Sequence, residues 1–236
     1  MKQLTERIYY MDADPETDQP FVYYIRGDLF HLQIDAGNSR RSYHRFLHEL
    51  NEIQLPKPDM MVLTHWHWDH TFGMFASDCP VIASSLTRNK LKEVQTWKWD
   101  EESMKKRLET GEDIPFTFEC MHKEYEDLSE IHVAVPDISF ETVMTIDLEG
   151  VTCILEHRDS PHTRDAVMIY IPEEKVLIGG DAQYEDFYDN DSKYDPERLT
   201  SFLAYLKEKD FETYLKGHDE PAVSKADLIK ELETAL

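Results

Sequence analysis

The chain is predicted to be an α+β protein folded as a four-layer αββα sandwich. Three observations carry that expectation. Short strand patterns rich in aromatic and β-branched residues fall in two separate stretches of the chain. Helical spacings accompany each of those stretches. No internal repeat, low-complexity tract or linker interrupts the 236 residues. Strands and helices followed by strands and helices again bury their apolar faces as two sheets packed face to face, with helices outside. One domain over 1–236 is expected, with a helical insertion around 97–131.

In order, Arg7 to Tyr10 and Phe21 to Ile25 read as strands separated by the turn-rich Asp12-Ala13-Asp14-Pro15. Gly27-Asp28 is a tight turn, and Leu29 to Ile34 alternates apolar with polar before Asp35-Ala36-Gly37. Asp35, at a strand end, could be functional, but bonding to nearby backbone is the favoured expectation. A helix from Ser39 to Leu50 has Tyr43, Phe46, Leu47 and Leu50 on one face and Ser39 as its cap. His44 and His48 are one turn apart on it, but Arg45 stands where H-E-x-x-H needs its general base, so both read as exposed. Met60 to Leu63 and Pro80 to Ala83 are short strands, the second followed by a helix capped by Ser84 or Ser85 and running to about Trp97. From Asp100 to about Ile131 the chain is charged and helical in spacing, with Trp97, Trp99, Met104, Leu108, Phe116 and Tyr125 interleaved. A lid or substrate wall, a surface elaboration, or a homodimer contact made by the aromatics all suit it.

Ser139 to Ile146 and Val151 to Glu156 read as two strands around Leu148-Glu149-Gly150. Ala166 to Ile171 and Lys175 to Ile178 form a hairpin around Pro172-Glu173-Glu174. Asp195-Pro196 starts a helix to about Lys209, with a cap and a proline in its first turn. Phe211 to Leu215 is the last strand, and Ser224 caps the terminal helix.

Composition excludes several classes of function. A net charge of −23 repels phosphate backbones and anionic membrane surfaces, so no nucleic acid and no membrane partner is expected. Cys79, Cys120 and Cys153 are widely spaced and odd in number, which points to a reducing compartment and no disulfide framework. The N-terminus lacks the apolar stretch of a signal peptide and no window is long enough to span a bilayer, so the reading is cytoplasmic.

Directly after Met60-Met61-Val62-Leu63 comes Thr64-His65-Trp66-His67-Trp68-Asp69-His70. In extended chain His65, His67 and Asp69 face one side, with Trp66 and Trp68 on the other, where they would anchor the loop in the core. A turn after Asp69 would bring His70 back to the same point. Imidazole and carboxylate are zinc ligands, and a catalytic zinc takes about three from the protein, so four candidates suit two neighbouring metals.

The stretch has the form T-H-x-H-x-D-H and resembles the signature of the metallo-β-lactamase superfamily of metal-dependent hydrolases. The opening meander is similar to that family's as well, ending in Ile34-Asp35-Ala36-Gly37. Ser160-Pro161-His162-Thr163 resembles the family's T-P-G-H-T segment without its glycine. His157 competes for that role but lacks the Pro-x-His context, which favours His162. Gly179-Gly180-Asp181 is similar to the family's G-G-D element, and Lys216-Gly217-His218 to its late G-H element. The resemblance implies one metal on His65, His67 and His162, a second on Asp69, His70 and His218, and Asp181 bridging them. His31, His122 and His132 match no motif.

What the resemblance implies chemically is hydrolysis by a metal-bridged hydroxide, with Asp69 orienting the nucleophile. An all-nitrogen-and-oxygen ligand set suits two zinc ions best, with iron or manganese as the other loadings to test. His67 stands where oxygen-reducing diiron relatives carry glutamate. Neither G-x-S-x-G nor a Cys-His signature occurs, which argues against covalent catalysis. A compact chain of this charge fits a small-molecule ester, thioester or lactone, the alternatives being a phosphodiester or a non-catalytic binding module. Arg158, Arg164 and Lys216 flank proposed ligands and could bind a substrate anion or be ordinary solvated charges.

Overall fold

The structure is a computed structural model that describes residues 1–188 and 192–236. The first half of the chain builds a seven-stranded sheet. Its strands β1 (Lys2–Gln3), β2 (Ile8–Met11), β3 (Val22–Arg26) and β4 (His31–Ile34) form an antiparallel meander. The sheet then grows in parallel through β5 (Met60–Val62), β6 (Val81–Ser84) and β7 (Ile138–Phe140). Parallel neighbours need crossovers, supplied by α1 (Arg40–Glu52), the single turn α2 (Trp68–Thr71), α3 (Ser85–Val94), α4 (Glu101–Thr110) and α5 (Pro115–Glu124).

The second half builds a six-stranded sheet from β8 (Val143–Asp147), β9 (Thr152–Arg158), β10 (Ala166–Ile171), β11 (Val176–Gly180), β12 (Thr213–Lys216) and β13 (Ala222–Ser224). Spatial order runs β13-β12-β11-β10-β9-β8. Only β11 and β12 pair in parallel, across the helix α6 (Pro196–Glu208), and α7 (Lys225–Thr234) closes the chain.

Apolar residues at alternate strand positions fill the space between the sheets: Ile8, Ile25 and Ile34 from one, Leu155, Ile169 and Ile178 from the other, all fully buried. Each such side chain contributes about 1.5–3 kcal/mol when withdrawn from water. Leu199, Phe202, Leu206, Leu228 and Leu232 seat α6 and α7 on the outer face of the second sheet, while Tyr43, Phe46, Leu50 and Leu91 seat α1 and α3 on the first. The result is the four-layer αββα sandwich that the sequence predicts.

β1 has no counterpart in the sequence reading, and later strand boundaries depart from it at two further places. The run read as one strand, Ser139 to Ile146, changes sheets: β7 closes the first and β8 opens the second. Alternation continues across the break because Phe140 and Ile146 are both buried, so the two-residue period hides it. β13 follows the strand expected to be last, and three residues are too few to show a period.

Residues 97–131 pack inward through Met104, Cys120, Met121, Tyr125 and Ile131 onto Trp68 and Phe72. Arg107 packs over both Trp97 and Trp99, its guanidinium carbon 4.8 and 4.6 Å from the ring centroids. The buried Glu124 carboxylate accepts from Ser39 Oγ and the Arg41 guanidinium, and Tyr125 Oη donates to the Asn38 carbonyl at 2.8 Å. The segment is therefore bolted to the N-terminus of α1.

Candidate metal centre

Seven imidazole and carboxylate side chains meet where β5, β11 and β12 end. The motif does not stay extended as the alternation argument requires. β5 ends at Val62, and the chain turns into α2 with His67 as its N-cap. The turn thus falls two residues earlier than expected, and Asp69 and His70 are presented by helical backbone. Trp68 is buried against Phe72 and Met121, while Trp66 is half-buried beside Tyr188 and Lys90.

Two groups of donors form, each with ligand atoms within 4.8 Å of one another: His65, His67 and His162, and Asp69, His70, Asp181 and His218. His67 Nδ1 and His162 Nε2 are 3.0 Å apart. Asp181 Oδ2 lies 3.3 Å from His70 Nε2, 3.5 Å from His218 Nε2 and 3.8 Å from His162 Nε2, so it stands between the groups. Gly217 permits this: a Cβ there would sit 2.0 Å from Asp181 Oδ1 and 3.0 Å from His70 Cε1.

Neighbouring hydrogen bonds set the imidazole tautomers. His162 Nδ1 is 2.6 Å from the Glu185 carbonyl, an acceptor only, so Nδ1 carries the hydrogen and Nε2 offers its lone pair to the cluster. His70 Nδ1 lies 2.8 Å from Asp35 Oδ2, which likewise keeps a hydrogen on Nδ1 and turns Nε2 towards the cluster. Asp35 also accepts from Thr64 N at 2.7 Å and Thr64 Oγ1 at 2.8 Å. Asp35 thus accepts from backbone, as expected, and also meets the functional alternative by contacting a histidine of the cluster. The Ile34-Asp35-Ala36-Gly37 segment was the available signal, but the partner is a histidine 35 residues away.

His65 Nε2 and Asp181 Oδ1 are buried and make no hydrogen bond, and His70 Nε2 is held between Asp69 and Asp181 at 3.0 and 3.3 Å. Unsatisfied polar atoms of this kind are costly, and two of them in a cluster of imidazoles and carboxylates fit divalent cations. A three-nitrogen group beside a group of two nitrogens and two carboxylates suits zinc. Burial, reinforced by adjacent imidazoles, holds His65 and His67 well below the usual histidine range. Burial also acts on His70 and His218, but the Asp69 and Asp181 carboxylates outweigh it and hold both well above. Conversely, His70 and His218 hold the two carboxyls below their usual range despite burial.

Five of the seven donors, His67, Asp69, His162, Asp181 and His218, form the floor of a cavity of about 1230 Å³. Ile114, Pro115, Phe116 and Thr117 of the 97–131 segment line one side, and Phe21, Tyr184, Phe187 and Tyr188 line others. The Tyr188 ring lies tilted against His67 at 4.9 Å between centroids and shares a 3.2 Å hydrogen bond with Thr117, linking two walls. Asp18 and Asp219 also line it. Burial first, then Asp69, pushes the Asp18 carboxyl up to about 8. No motif marks these lining residues, because a cavity wall is assembled by tertiary contact.

Arg158, Arg164 and Lys216 do not line the cavity. Arg158 packs over Tyr205, Arg164 lies 3.6 Å from Asp159, and Lys216 is buried against Glu231 at 3.2 Å. His157 Nε2 bonds the Arg164 carbonyl at 2.9 Å, away from the cluster. His44 and His48 are exposed on α1.

This sandwich and its histidine- and aspartate-lined floor define a metal-dependent hydrolase fold. Residues 15–236 match the family profile of the metallo-β-lactamase superfamily, and the chain belongs to that superfamily. It is 22% identical over 176 residues to the human (Homo sapiens) acyl-coenzyme A thioesterase MBLAC2, a match covering 70% of this chain and 58% of that protein. The chain thus spans less than two thirds of that relative's length. Among solved structures, a metallo-β-lactamase from Pontibacter korlensis superposes with a TM-score of 0.65 at 18% identity, covering 98% of this chain and 96% of that one. A metallo-β-lactamase family protein from Thermus thermophilus gives 0.67 at 17% identity, covering 98% and 80%. At such identities these structures show the fold alone. Among the described residues, no helix is long and apolar enough to cross a membrane.

Proposed function

We propose that the chain is a binuclear metal-dependent hydrolase of small esters, thioesters or lactones. The observation that carries this reading is the convergence of the two donor groups, with the buried, unpartnered His65 Nε2 and Asp181 Oδ1, beneath an open cavity that His67, Asp69, His162, Asp181 and His218 line. In this reading His65, His67 and His162 hold one divalent cation, Asp69, His70 and His218 hold the other, and Asp181 serves both. Zinc is the proposed metal.

Two such cations supply Lewis acidity and bring the pKa of water towards neutrality. The protein's own part is arrangement. Asp35 and the Glu185 carbonyl fix the His70 and His162 rings so that their free nitrogens point inward. Asp69, which lines the cavity as well as contacting His70 and His218, orients the attacking water. That water adds to the carbonyl carbon, and the carbon–oxygen or carbon–sulfur bond breaks to give a carboxylic acid and an alcohol or thiol. Phe21, Tyr184 and Phe187 exclude bulk solvent and position the scissile group. The thioester option has further support in the name of the human relative.

A panel of an ester, a thioester, a lactone and a phosphodiester, run on zinc- and manganese-loaded protein, tests the proposal. Turnover of at least one acyl substrate, lost on chelation, is the expected result. Turnover confined to the phosphodiester, or none at all, contradicts it.

A further inference from the structure

Outside the donor cluster, the cavity walls carry the carboxyl groups of Asp12, Asp18 and Asp219 and no ammonium or guanidinium among the described residues. Asp12 is paired with Lys2 at 2.8 Å. Asp18 has no ion-pair partner among the described residues, and Asp219 accepts only from Tyr184 Oη at 2.8 Å. The rest of the lining is mainly apolar and includes Phe21, Ile114, Phe116 and Phe187. Phe116 and Phe187 are 53% and 40% exposed, so large apolar surface faces open space at the cavity instead of the core. A cavity of about 1230 Å³ is larger than an acetyl-sized substrate requires. A net charge of −23 adds a long-range field of the same sign as the Asp219 carboxylate.

We infer that the cavity selects substrates whose body is apolar and carries no anionic group. This rests on the proposed hydrolase reading and narrows it. A carboxylate or phosphate placed along the wall would lose its water, meet the Asp219 carboxylate, and find no guanidinium or ammonium to replace the lost hydration. An alkyl or aryl arm meets aromatic side chains instead. Each methylene that becomes buried is expected to raise kcat/KM about fourfold, until the wall is filled. Phe116 and Phe187 are then specificity-determining residues contributed by two different segments.

The test is a set of esters matched in length: one neutral, one with a carboxylate at the acyl end, and one with a carboxylate at the alcohol end. The expected result is a loss in kcat/KM of at least tenfold for one or both charged esters, with neither turned over faster than the neutral one. Both charged esters within tenfold of the neutral one, or either of them faster, overturns the inference. Phe116→Arg is expected to narrow the gap at least threefold, and an unchanged gap counts against the assigned wall. Absence of turnover on all three esters is a failure of the hydrolase reading. The corresponding amides, followed by calorimetric binding, then decide the inference by the same tenfold criterion.

Discussion

Asp35 Oδ2 lies 2.8 Å from His70 Nδ1, and the same carboxyl group accepts the Thr64 backbone N–H at 2.7 Å. One side chain at the end of β4 thereby aligns the start of the ligand motif and one of its histidines. Asp35 has φ +62°, a backbone region that asparagine tolerates almost as well as aspartate. Asp35→Asn should therefore leave the fold intact. Its single amide oxygen cannot satisfy both donors, so metal affinity should fall about 10–100-fold. Competition against a chromophoric chelator measures this, and unchanged affinity contradicts the role given to Asp35.

Glu124→Ala should lower unfolding free energy by about 2 kcal/mol, because it strands the buried Ser39 hydroxyl and releases α5 from α1. Urea titration measures the loss. A change under about 0.5 kcal/mol, within the range of ordinary surface substitutions, would show that the 97–131 segment is not fastened there.

The ligand motif was legible because its donors are dense in sequence: four fall between His65 and His70. His162, Asp181 and His218 were legible only through short motifs in a fixed order, and each alone is weak. The layer architecture followed from strand and helix periods, and the caps Ser39, Ser84, Asp195 and Ser224 were readable in the sequence. The jump between sheets after Phe140 was not, since period reports which face is buried and not which strand is the neighbour. The Asp35–His70 contact, the acidic and aromatic cavity wall, and the outward placement of Arg158 and Arg164 all depend on packing between distant segments.

Asp113 provides a test by pH. Burial pushes its carboxyl up to about 6 from the ordinary 3.8, against the opposing pull of the Ile114 N–H and Arg107. The folded state therefore binds this proton more tightly than the unfolded state does. The associated stability is complete below about pH 4 and is lost as pH rises through about 6. A shift of roughly two units corresponds to at most about 3 kcal/mol. Asp113→Asn should gain stability relative to the parent between pH 4 and 7, followed by urea midpoints. A constant difference across that range would contradict the assignment.

Metal uptake should release protons. In the metal-free protein Asp69 and Asp181 hold His70 and His218 well above the usual histidine range, so both rings are protonated at neutral pH. Ligation requires their nitrogens free. Zinc affinity should thus rise with pH near neutrality, with about two protons released per chain on saturation. Calorimetry in buffers of different ionisation enthalpy counts them, and a release of none contradicts the ligand assignment.

The central claim is that two donor groups act together as one hydrolytic centre. It is tested most directly by metal analysis of the purified chain and of His67→Ala, paired with ester and thioester turnover on the same samples. The account predicts about two metal ions per chain for the parent, about one for the variant, and turnover abolished by the substitution. Full turnover in metal-free protein, or undiminished metal content and activity in His67→Ala, would contradict it.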